Sequence, residues 1–307
     1  MTFRSVCAIA IVAAPLVFAA CSSSSTSSDP SNSTPVPTGI IDLNVSDSSD
    51  YVTTVDLDTK KVTNPFFGYA PDRTHDGKLV YRDNSGDLIE GNPDGTGRRL
   101  IVKQNLDVPF EDHHDDYFGN PRASADGKYV AYEGIGGNLY VVDRLNGNVI
   151  ASWEYSGSNP AGYRCPSWSS TGRLIVQGDV SLNPGLYELN ITTKTATPIG
   201  SGLNKPQYPN VSGDGHIAFV MNGYVYTMLL DGSSSSLKQL TDSSITWINT
   251  ARFPTWSPDS KFVAVYANNS TVKLVPFVSG ASIVDIRTFI TDPNVQIDNT
   301  STHISWR

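Results

Sequence analysis

The densest group of side chains able to do chemistry lies between Asp107 and Pro121, in the stretch DVPFEDHHDDYFGNP. Six acidic or imidazole residues follow one another there: Glu111, Asp112, His113, His114, Asp115 and Asp116. Carboxylate and imidazole groups together suit a divalent cation. In an extended chain Asp112, His114 and Asp116 would share one side, which makes them the candidate metal ligands. The alternatives are a solvated loop, or a loop whose residues Glu111 to Tyr117 contact a partner.

Short strands in a repeated order must position this loop. The unit from Ser124 to Trp153 contains three apolar strands, with turns at Gly136-Gly137 and Asn146-Gly147. Equivalent turn residues stand at positions 77, 127, 172, 215 and 260, at intervals of 50, 45, 43 and 45 residues. This period is typical of one four-stranded propeller blade. The sequence therefore predicts an all-β fold, a six-bladed β-propeller of four-stranded antiparallel blades, in which Ser260 replaces the turn glycine.

The first unit, which begins at Gly39, lacks an opening strand, and the last residues, Ser301 to Arg307, have no unit of their own. Their sequence STHISWR matches the start of later units, such as Cys165 to Trp168. We therefore expect the C-terminal strand to close the first blade, which removes the open edges of the sheet. The first unit is expected to continue with a strand over Val62 to Phe66, and the sixth to end with one over Ile283 to Phe289.

The N-terminus has the composition of a secretory signal. Residues 1–20 carry one charge, Arg4, followed by an apolar run that ends in small residues. The segment Phe18-Ala19-Ala20-Cys21 resembles the lipobox of bacterial lipoproteins, which implies that Cys21 is acylated after cleavage; the alternative is an ordinary signal peptide with an incidental cysteine. Ser22, which follows the cysteine, implies sorting to the outer membrane. Residues 21–38 then form a polar, Ser-rich tether, and the propeller is expected over residues 39–307.

Charge and cysteine content restrict the partners. The formal net charge is −8, and removal of Arg4 with the signal makes it one unit more negative. An acidic chain is not expected to bind nucleic acid or to grip anionic lipid by electrostatics. Cys7 leaves with the signal and Cys21 is taken by lipid, so Cys165 is expected to be a small buried residue and not a nucleophile.

Three repeat segments show the same pattern: TWSPDSKFVAVY, ASADGKYVAY and SWSSTGRLIV. They resemble the WD-like repeat of the TolB propeller family, over the whole region after the tether. The resemblance implies the propeller fold and a place in the bacterial cell envelope, facing the periplasm. A lipid-type cysteine and a tether stand where that family has a small α/β domain, so we expect a TolB-like propeller lipoprotein.

The tryptophans divide into two groups by their repeat position. Trp168, Trp256 and Trp306 occupy matching positions and are expected to pack in the core or between blades. Trp153 and Trp247 lie outside this register, the latter in the loop from Thr241 to Pro254, and are expected to be exposed contacts.

Two functions remain open. The chain lacks the G-x-S-x-G motif of a serine hydrolase, and no cofactor is expected beyond the divalent cation considered above. We expect a monomeric, non-catalytic scaffold whose partners are the membrane, through its lipid, and an envelope protein or peptide, with Glu111 to Tyr117 and Trp247 as the candidate contacts. The alternative is a carbohydrate-active or metal-dependent enzyme, a lyase or glycosidase, for which Asp112, His114, Tyr117 and Asp179 are the residues to test.

Overall fold

A computed structural model describes residues 35–46, 50–63, 65–104, 119–134, 138–154, 162–178, 184–241, 251–267, 271–278, 282–290 and 300–307. Six antiparallel sheets in these ranges form the blades of one ring. The innermost strands of successive blades contact one another around the whole circle. The prediction of a six-bladed propeller is therefore confirmed. The described part of the chain contains no helix with the length and apolar character of a membrane span.

Blade 1 is built from both ends of the chain. From the ring centre outward its strands are β25 (Thr300–Trp306), β1 (Ile40–Ser46), β2 (Asp50–Asp56) and β3 (Lys61–Val62), with β4 (Phe66–Phe67) also paired to β2. β25 runs antiparallel to β1 and places Ile304 opposite Leu43. Ile40 and Arg307 then exchange two backbone hydrogen bonds, of 2.6 and 2.9 Å. The predicted closure by the C-terminal strand is confirmed.

The other blades each take four consecutive strands, and the first of each group lies at the ring centre. Blades 2 and 3 comprise β5 (Tyr69–Arg73), β6 (Leu79–Arg82), β7 (Leu88–Gly91), β8 (Arg99–Val102), β9 (Arg122–Ala123), β10 (Tyr129–Glu133), β11 (Leu139–Asp143) and β12 (Val149–Trp153). Blades 4 to 6 comprise β13 (Tyr163–Trp168), β14 (Leu174–Gly178), β15 (Gly185–Leu189), β16 (Ala196–Ile199), β17 (Gln207–Val211), β18 (His216–Met221), β19 (Tyr224–Leu229), β20 (Lys238–Gln239), β21 (Arg252–Trp256), β22 (Phe262–Ala267), β23 (Thr271–Pro276) and β24 (Val284–Asp285).

Two predicted strands differ from the structure. The strand expected over Val62 to Phe66 is split into β3 and β4, because Pro65 between them has no N–H to donate to a ladder. The strand expected over Ile283 to Phe289 ends after Asp285, and a 3₁₀ helix follows over Ile286–Phe289. The Asp285 side chain accepts the backbone N–H of Arg287 and so caps this helix. A second 3₁₀ helix spans Ser234–Ser236.

Four innermost strands carry a bulge at the same repeat position. In each, a residue with left-handed φ precedes a proline and then a polar residue: Ala70-Pro71-Asp72 (φ 49°), Cys165-Pro166-Ser167 (φ 51°), Tyr208-Pro209-Asn210 (φ 56°) and Phe253-Pro254-Thr255 (φ 51°). The pairing with the second strand shifts register at each of these tripeptides. A bulge bends the strand and redirects its side chains. Here it aims the polar residue toward the ring centre.

Two turn glycines allow a matched test of what holds neighbouring blades together. Gly172 has φ +82° with open space where a methyl group would lie, whereas at Gly147 (φ +74°) a methyl group would lie 2.1 Å from the carbonyl oxygen of Ile101 in blade 2. We expect Gly172→Ala to lower the free energy of unfolding by about 1 kcal/mol, the cost of left-handed backbone alone. Gly147→Ala should cost about 3 kcal/mol, since the blades must also separate. Urea denaturation measures both, and equal costs would contradict this packing.

Candidate functional site

The candidate residues chosen from the sequence all lie outside the described residues. They are Cys21, Glu111, Asp112, His113, His114, Asp115, Asp116, Tyr117, Asp179 and Trp247. The acidic segment joins β8 to β9, and the segment with Trp247 joins β20 to β21. Within the described ranges no three His, Cys, Asp or Glu side chains are grouped to hold a metal ion.

The described residues form a cavity of about 210 Å³ where the innermost strands end. We call this cavity the central cup. Its wall contains one polar side chain from each of the six blades, at the repeat position that follows the bulge. In ring order these are Ser305, Asp72, Arg122, Ser167, Asn210 and Thr255. Because each comes from a different blade, the cup exists only when the ring is closed.

Hydrogen bonds between blades fix four of these side chains. Each side chain accepts a backbone N–H from the innermost strand of the next blade. The donor is the residue that directly follows that blade's own polar residue of the cup. The bonds run from Arg73 to Ser305 Oγ (2.9 Å), from Ala123 to Asp72 Oδ2 (2.8 Å), from Val211 to Ser167 Oγ (2.9 Å) and from Trp256 to Asn210 Oδ1 (2.9 Å). Thr255 instead donates its hydroxyl to the carbonyl of Ile304 (3.0 Å). Hydrogen bonds within the protein therefore already orient these side chains of the wall.

Asp72 is the centre of this network. Its Oδ1 accepts the hydroxyl of Ser305 (3.2 Å) and Nη1 of Arg122 (3.2 Å), in addition to the backbone bond from Ala123. Its side chain is 7% exposed and that of Arg122 is 11% exposed. The carboxylate therefore has its acceptor capacity largely used by the protein, whereas Arg122 uses one of its five N–H groups.

The residues two positions earlier in the repeat narrow the channel below the cup. Ala70, Asn120, Cys165, Tyr208, Phe253 and His303 are all buried there. The Phe253 ring lies 4.5 Å from the Tyr208 ring and 4.5 Å from the His303 ring, between centroids. A cavity lined by these residues, with the exception of Ala70, has a volume of about 10 Å³, about the volume that one water needs. A ligand in the cup therefore meets a floor of aromatic and small polar side chains.

Two residues of the floor with potentially reactive side chains, His303 and Cys165, are uncharged. Burial lowers the pKa of His303 well below its usual value, with the charge of Arg122 acting in the same direction, so the imidazole is neutral. Burial, followed by the charge of Glu133, raises the pKa of the Cys165 thiol well above its usual value. Cys165 is buried without a disulfide, as predicted, and its thiol is not activated as a nucleophile.

The structural role predicted for three tryptophans is confirmed. Trp256 and Trp306 are buried and Trp168 is half-buried. Each donates its indole N–H to a backbone carbonyl: Trp168 to Arg122 (3.0 Å), Trp256 to Asn210 (3.1 Å) and Trp306 to Thr38 (2.8 Å). The prediction of an exposed Trp153 is wrong. Its ring is buried in the core shared by blades 3 and 4, and its indole N–H reaches the carbonyl of Lys194 (3.2 Å).

The central cup was not predicted from the sequence. A signal was present, because the pattern of any residue, proline and a polar residue stands before the turn in five units, at Asp72, Arg122, Ser167, Asn210 and Thr255. These five residues are separated by tens of positions and differ in type, so they do not form a motif of fixed spacing. Only the ring brings them to one place.

The closed ring of six four-stranded sheets makes the chain a six-bladed β-propeller. Comparison with solved structures agrees. The crystal structure of TolB from Acinetobacter baumannii matches with a TM-score of 0.65 and 15% sequence identity, over 90% of this chain and 68% of that one. A chain of the mitotic checkpoint complex matches with a TM-score of 0.53 and 14% identity, over 78% of this chain and 72% of that one. At these identities the likeness concerns the fold.

Sequence comparison adds no relative. No protein-family model matches the chain, and no curated protein sequence matches it.

Proposed function

We propose that this protein is a non-catalytic scaffold of the bacterial cell envelope, whose propeller binds an envelope protein or peptide. The observation that carries the proposal is the central cup, a cavity of about 210 Å³ with one polar side chain from every blade. Its bonds hold the wall in place without using a ligand, which favours binding to a preformed site. The TolB-like fold supports a protein-binding role by analogy.

We further propose that Cys21 carries lipid and anchors the scaffold on the outer membrane, facing the periplasm. The support is the segment Phe18-Ala19-Ala20-Cys21 together with the polar tether over residues 21–38. Each buried methylene of an acyl chain contributes about 0.8 kcal/mol, so two or more chains would retain the protein on a bilayer. The test is membrane fractionation with mass spectrometry of the N-terminal peptide. Cys21→Ala should release the protein into the periplasm; an unmodified Cys21 would refute the anchor.

The partner-binding proposal has two candidate surfaces. One is the central cup, and the other is the segment Glu111 to Tyr117 together with Trp247, as expected from the sequence. The experiment is affinity capture from cross-linked envelopes with the full chain, a chain lacking residues 111–117, and the cup variant Asn210→Asp. Loss of one partner with one variant assigns the surface. If the full chain captures no envelope protein, the scaffold function is wrong.

The same preparations address the enzyme alternative. A scaffold should hold no stoichiometric ion, whereas a metal-dependent enzyme should lose its ion when His113 and His114 are changed to Ala. Elemental analysis of the purified full chain decides between them, and a bound ion that disappears in the double variant would overturn the non-catalytic assignment.

A further inference from the structure

We infer that the central cup is a binding site for a carboxylate group, held by Arg122, Ser167 and Asn210 on three consecutive blades. The inference deepens the proposed function, because it names the chemical group that a partner would place in the cup. The support for this inference is the set of hydrogen-bond donors in the wall of the cup that have no partner within the described protein.

The free capacity consists mainly of donors. Arg122 gives Nη1 to Asp72, and its Nε and Nη2 have no partner among the described residues. The Oδ1 atom of Asn210 accepts the N–H of Trp256, which fixes the orientation of the amide and directs Nδ2 elsewhere. Nδ2 also has no partner in the described part of the chain. The Ser167 oxygen accepts the N–H of Val211, so its own proton is available to a ligand.

The hydrogen-bond acceptors of the wall, in contrast, are mostly bonded already to other groups of the protein. Asp72 receives three hydrogen bonds, and the hydroxyl of Ser305 both accepts from Arg73 and donates to Asp72. Thr255 directs its proton to the carbonyl of Ile304 and retains only lone pairs for the cup. A ligand that enters the cup is therefore offered donors on the side of blades 3, 4 and 5, and it must bring acceptors.

Charge and shape select an anionic, planar acceptor. The cup contains the guanidinium of Arg122 and the carboxylate of Asp72, whose oxygens are already bonded within the wall. The planar Arg122 guanidinium, with Nε and Nη2 free of partners in the described residues, presents two N–H groups that match the two oxygens of a carboxylate. The cup of about 210 Å³ is smaller than the several hundred Å³ of common ligand pockets, so it takes one residue-sized group. The terminal residue of a peptide, an acidic side chain and a small free acid all meet this requirement.

The test is a titration of the ¹⁵N-labelled full chain with N-acetylglycine, a small carboxylate, and with N-acetylglycinamide, its neutral analogue. The signals to follow are the Nε–H of Arg122 and the indole N–H of Trp168, which is bonded to the Arg122 carbonyl. We expect saturable shifts with the acid and none with the amide. Equal binding of the two compounds, or no binding of the acid, would overturn the inference.

A matched pair of variants checks the residues. Asn210→Asp keeps an oxygen for the N–H of Trp256 but replaces the free donor by an anion, so the dissociation constant for N-acetylglycine should rise about tenfold or more. Thr193→Ser, in the exposed turn between β15 and β16 and outside the cup, retains its hydroxyl and should leave the constant unchanged. Unaltered affinity in Asn210→Asp, with Trp256 still bonded in the spectrum, would refute the assignment.

Two peptides then separate the sources of the carboxylate. Acetyl-Gly-Ala with a free C-terminus presents a terminal carboxylate, and acetyl-Asp-Ala amide presents only a side-chain carboxylate. Tighter binding of acetyl-Gly-Ala than of N-acetylglycine identifies a peptide C-terminus, and tighter binding of acetyl-Asp-Ala amide identifies an acidic side chain. Equal binding of all three compounds identifies a small free acid. Each of these outcomes supports the carboxylate site in the cup. If the acid binds but no envelope protein is captured, the scaffold function fails alone. If a partner is captured equally by Asn210→Asp and N-acetylglycine does not bind, the inference fails alone.

Discussion

A chain that ends before Thr300 is expected to lose its cooperative fold. The missing strand β25 is the innermost strand of blade 1, where Ile304 and Trp306 are buried and paired with β1. Burial of two such side chains contributes about 2 to 3 kcal/mol each. Since a domain of this kind is stable by about 5 to 15 kcal/mol in total, their loss with the strand's hydrogen bonds should exceed what the fold tolerates.

β25 also joins three blades and not only one. Ser305 accepts the N–H of Arg73 in blade 2, the carbonyl of Ile304 accepts the hydroxyl of Thr255 in blade 6, and Nε of Arg307 reaches the carbonyl of Arg73 (3.1 Å). Removal of the strand therefore opens the ring at two interfaces as well as exposing an edge of β1. Loss of one inner strand should affect the whole ring because the blades are held to each other in a circle.

Thermal unfolding followed by circular dichroism measures the effect. The truncated chain should show no cooperative transition near that of the full chain, and a synthetic peptide of residues 300–307 should restore part of it. Removal of residues 1–34, which precede the first described strand, is the control and should leave the transition in place. A truncated chain that melts within a few degrees of the full chain would show that β25 does not close the ring.

The fold was largely predictable because its signals are local. Turn residues such as Gly127 and Gly172, at intervals of about one blade, indicate the repeat without knowledge of the ring. The first unit lacks one strand and the C-terminal strand has no unit of its own, so the sequence predicts that the two pair. The errors fall where a single side chain overrides the apolar pattern, as when Asp285 caps a 3₁₀ helix inside an expected strand.

The candidate site was not predictable in the same way. A dense run such as Glu111 to Asp116 is evident from the sequence alone, because its charged residues are neighbours in the chain. The cup takes single residues, among them Asp72, Arg122 and Asn210, from separate blades. Their convergence depends on ring closure and, in four of the blades, on a bulge, which are properties of the tertiary structure. The burial of Trp153 was missed for a related reason, because its pocket is formed by the next blade.

A second set of polar residues, on the second strands of the blades, is equally hidden in the sequence. Each accepts the backbone N–H of the left-handed bulge residue in the next blade: Asn44 from Ala70 (2.9 Å), Glu133 from Cys165 (2.6 Å) and Gln177 from Tyr208 (3.0 Å). Two of the three are neutral amides, so this position needs an oxygen atom and no charge. Glu133 is the exception, and it also accepts the side-chain amide of Asn120.

The environment of Glu133 favours its neutral form. The side chain is buried, and loss of solvation raises its pKa from 4.5 to about 7. The hydrogen bonds from Asn120 and Cys165 and the charge of Arg164 act in the opposite direction but only in part. His303 stays neutral over this range, because its pKa is well below the usual value. A protonated Glu133 is close in shape and charge to the glutamine that blade 4 uses at position 177.

Glu133→Gln is therefore expected to stabilise the fold above neutral pH. In the unfolded chain this carboxyl loses its proton near pH 4.5, but in the folded chain it keeps the proton to about pH 7. The folded state binds the extra proton between these values, so the free energy of unfolding of the natural chain falls as the pH rises from about 4.5 to 7. The difference corresponds to about 3 kcal/mol, which the variant should recover at pH 8 and not at pH 4.5.

The reciprocal variant, Gln177→Glu, tests whether the effect belongs to this repeat position, which Gln177 and Glu133 share, and not to Glu133 alone. It places a carboxyl at the equivalent site of blade 4, below the N–H of Tyr208, and should lower the free energy of unfolding at pH 8 while costing little at pH 4.5. Urea denaturation of the three chains at the two pH values gives all the differences. If Glu133→Gln changes the free energy of unfolding by the same amount at both pH values, the prediction is wrong. The Glu133 carboxyl would then not titrate near pH 7, and the N–H of Cys165 would be bonded to a charged carboxylate.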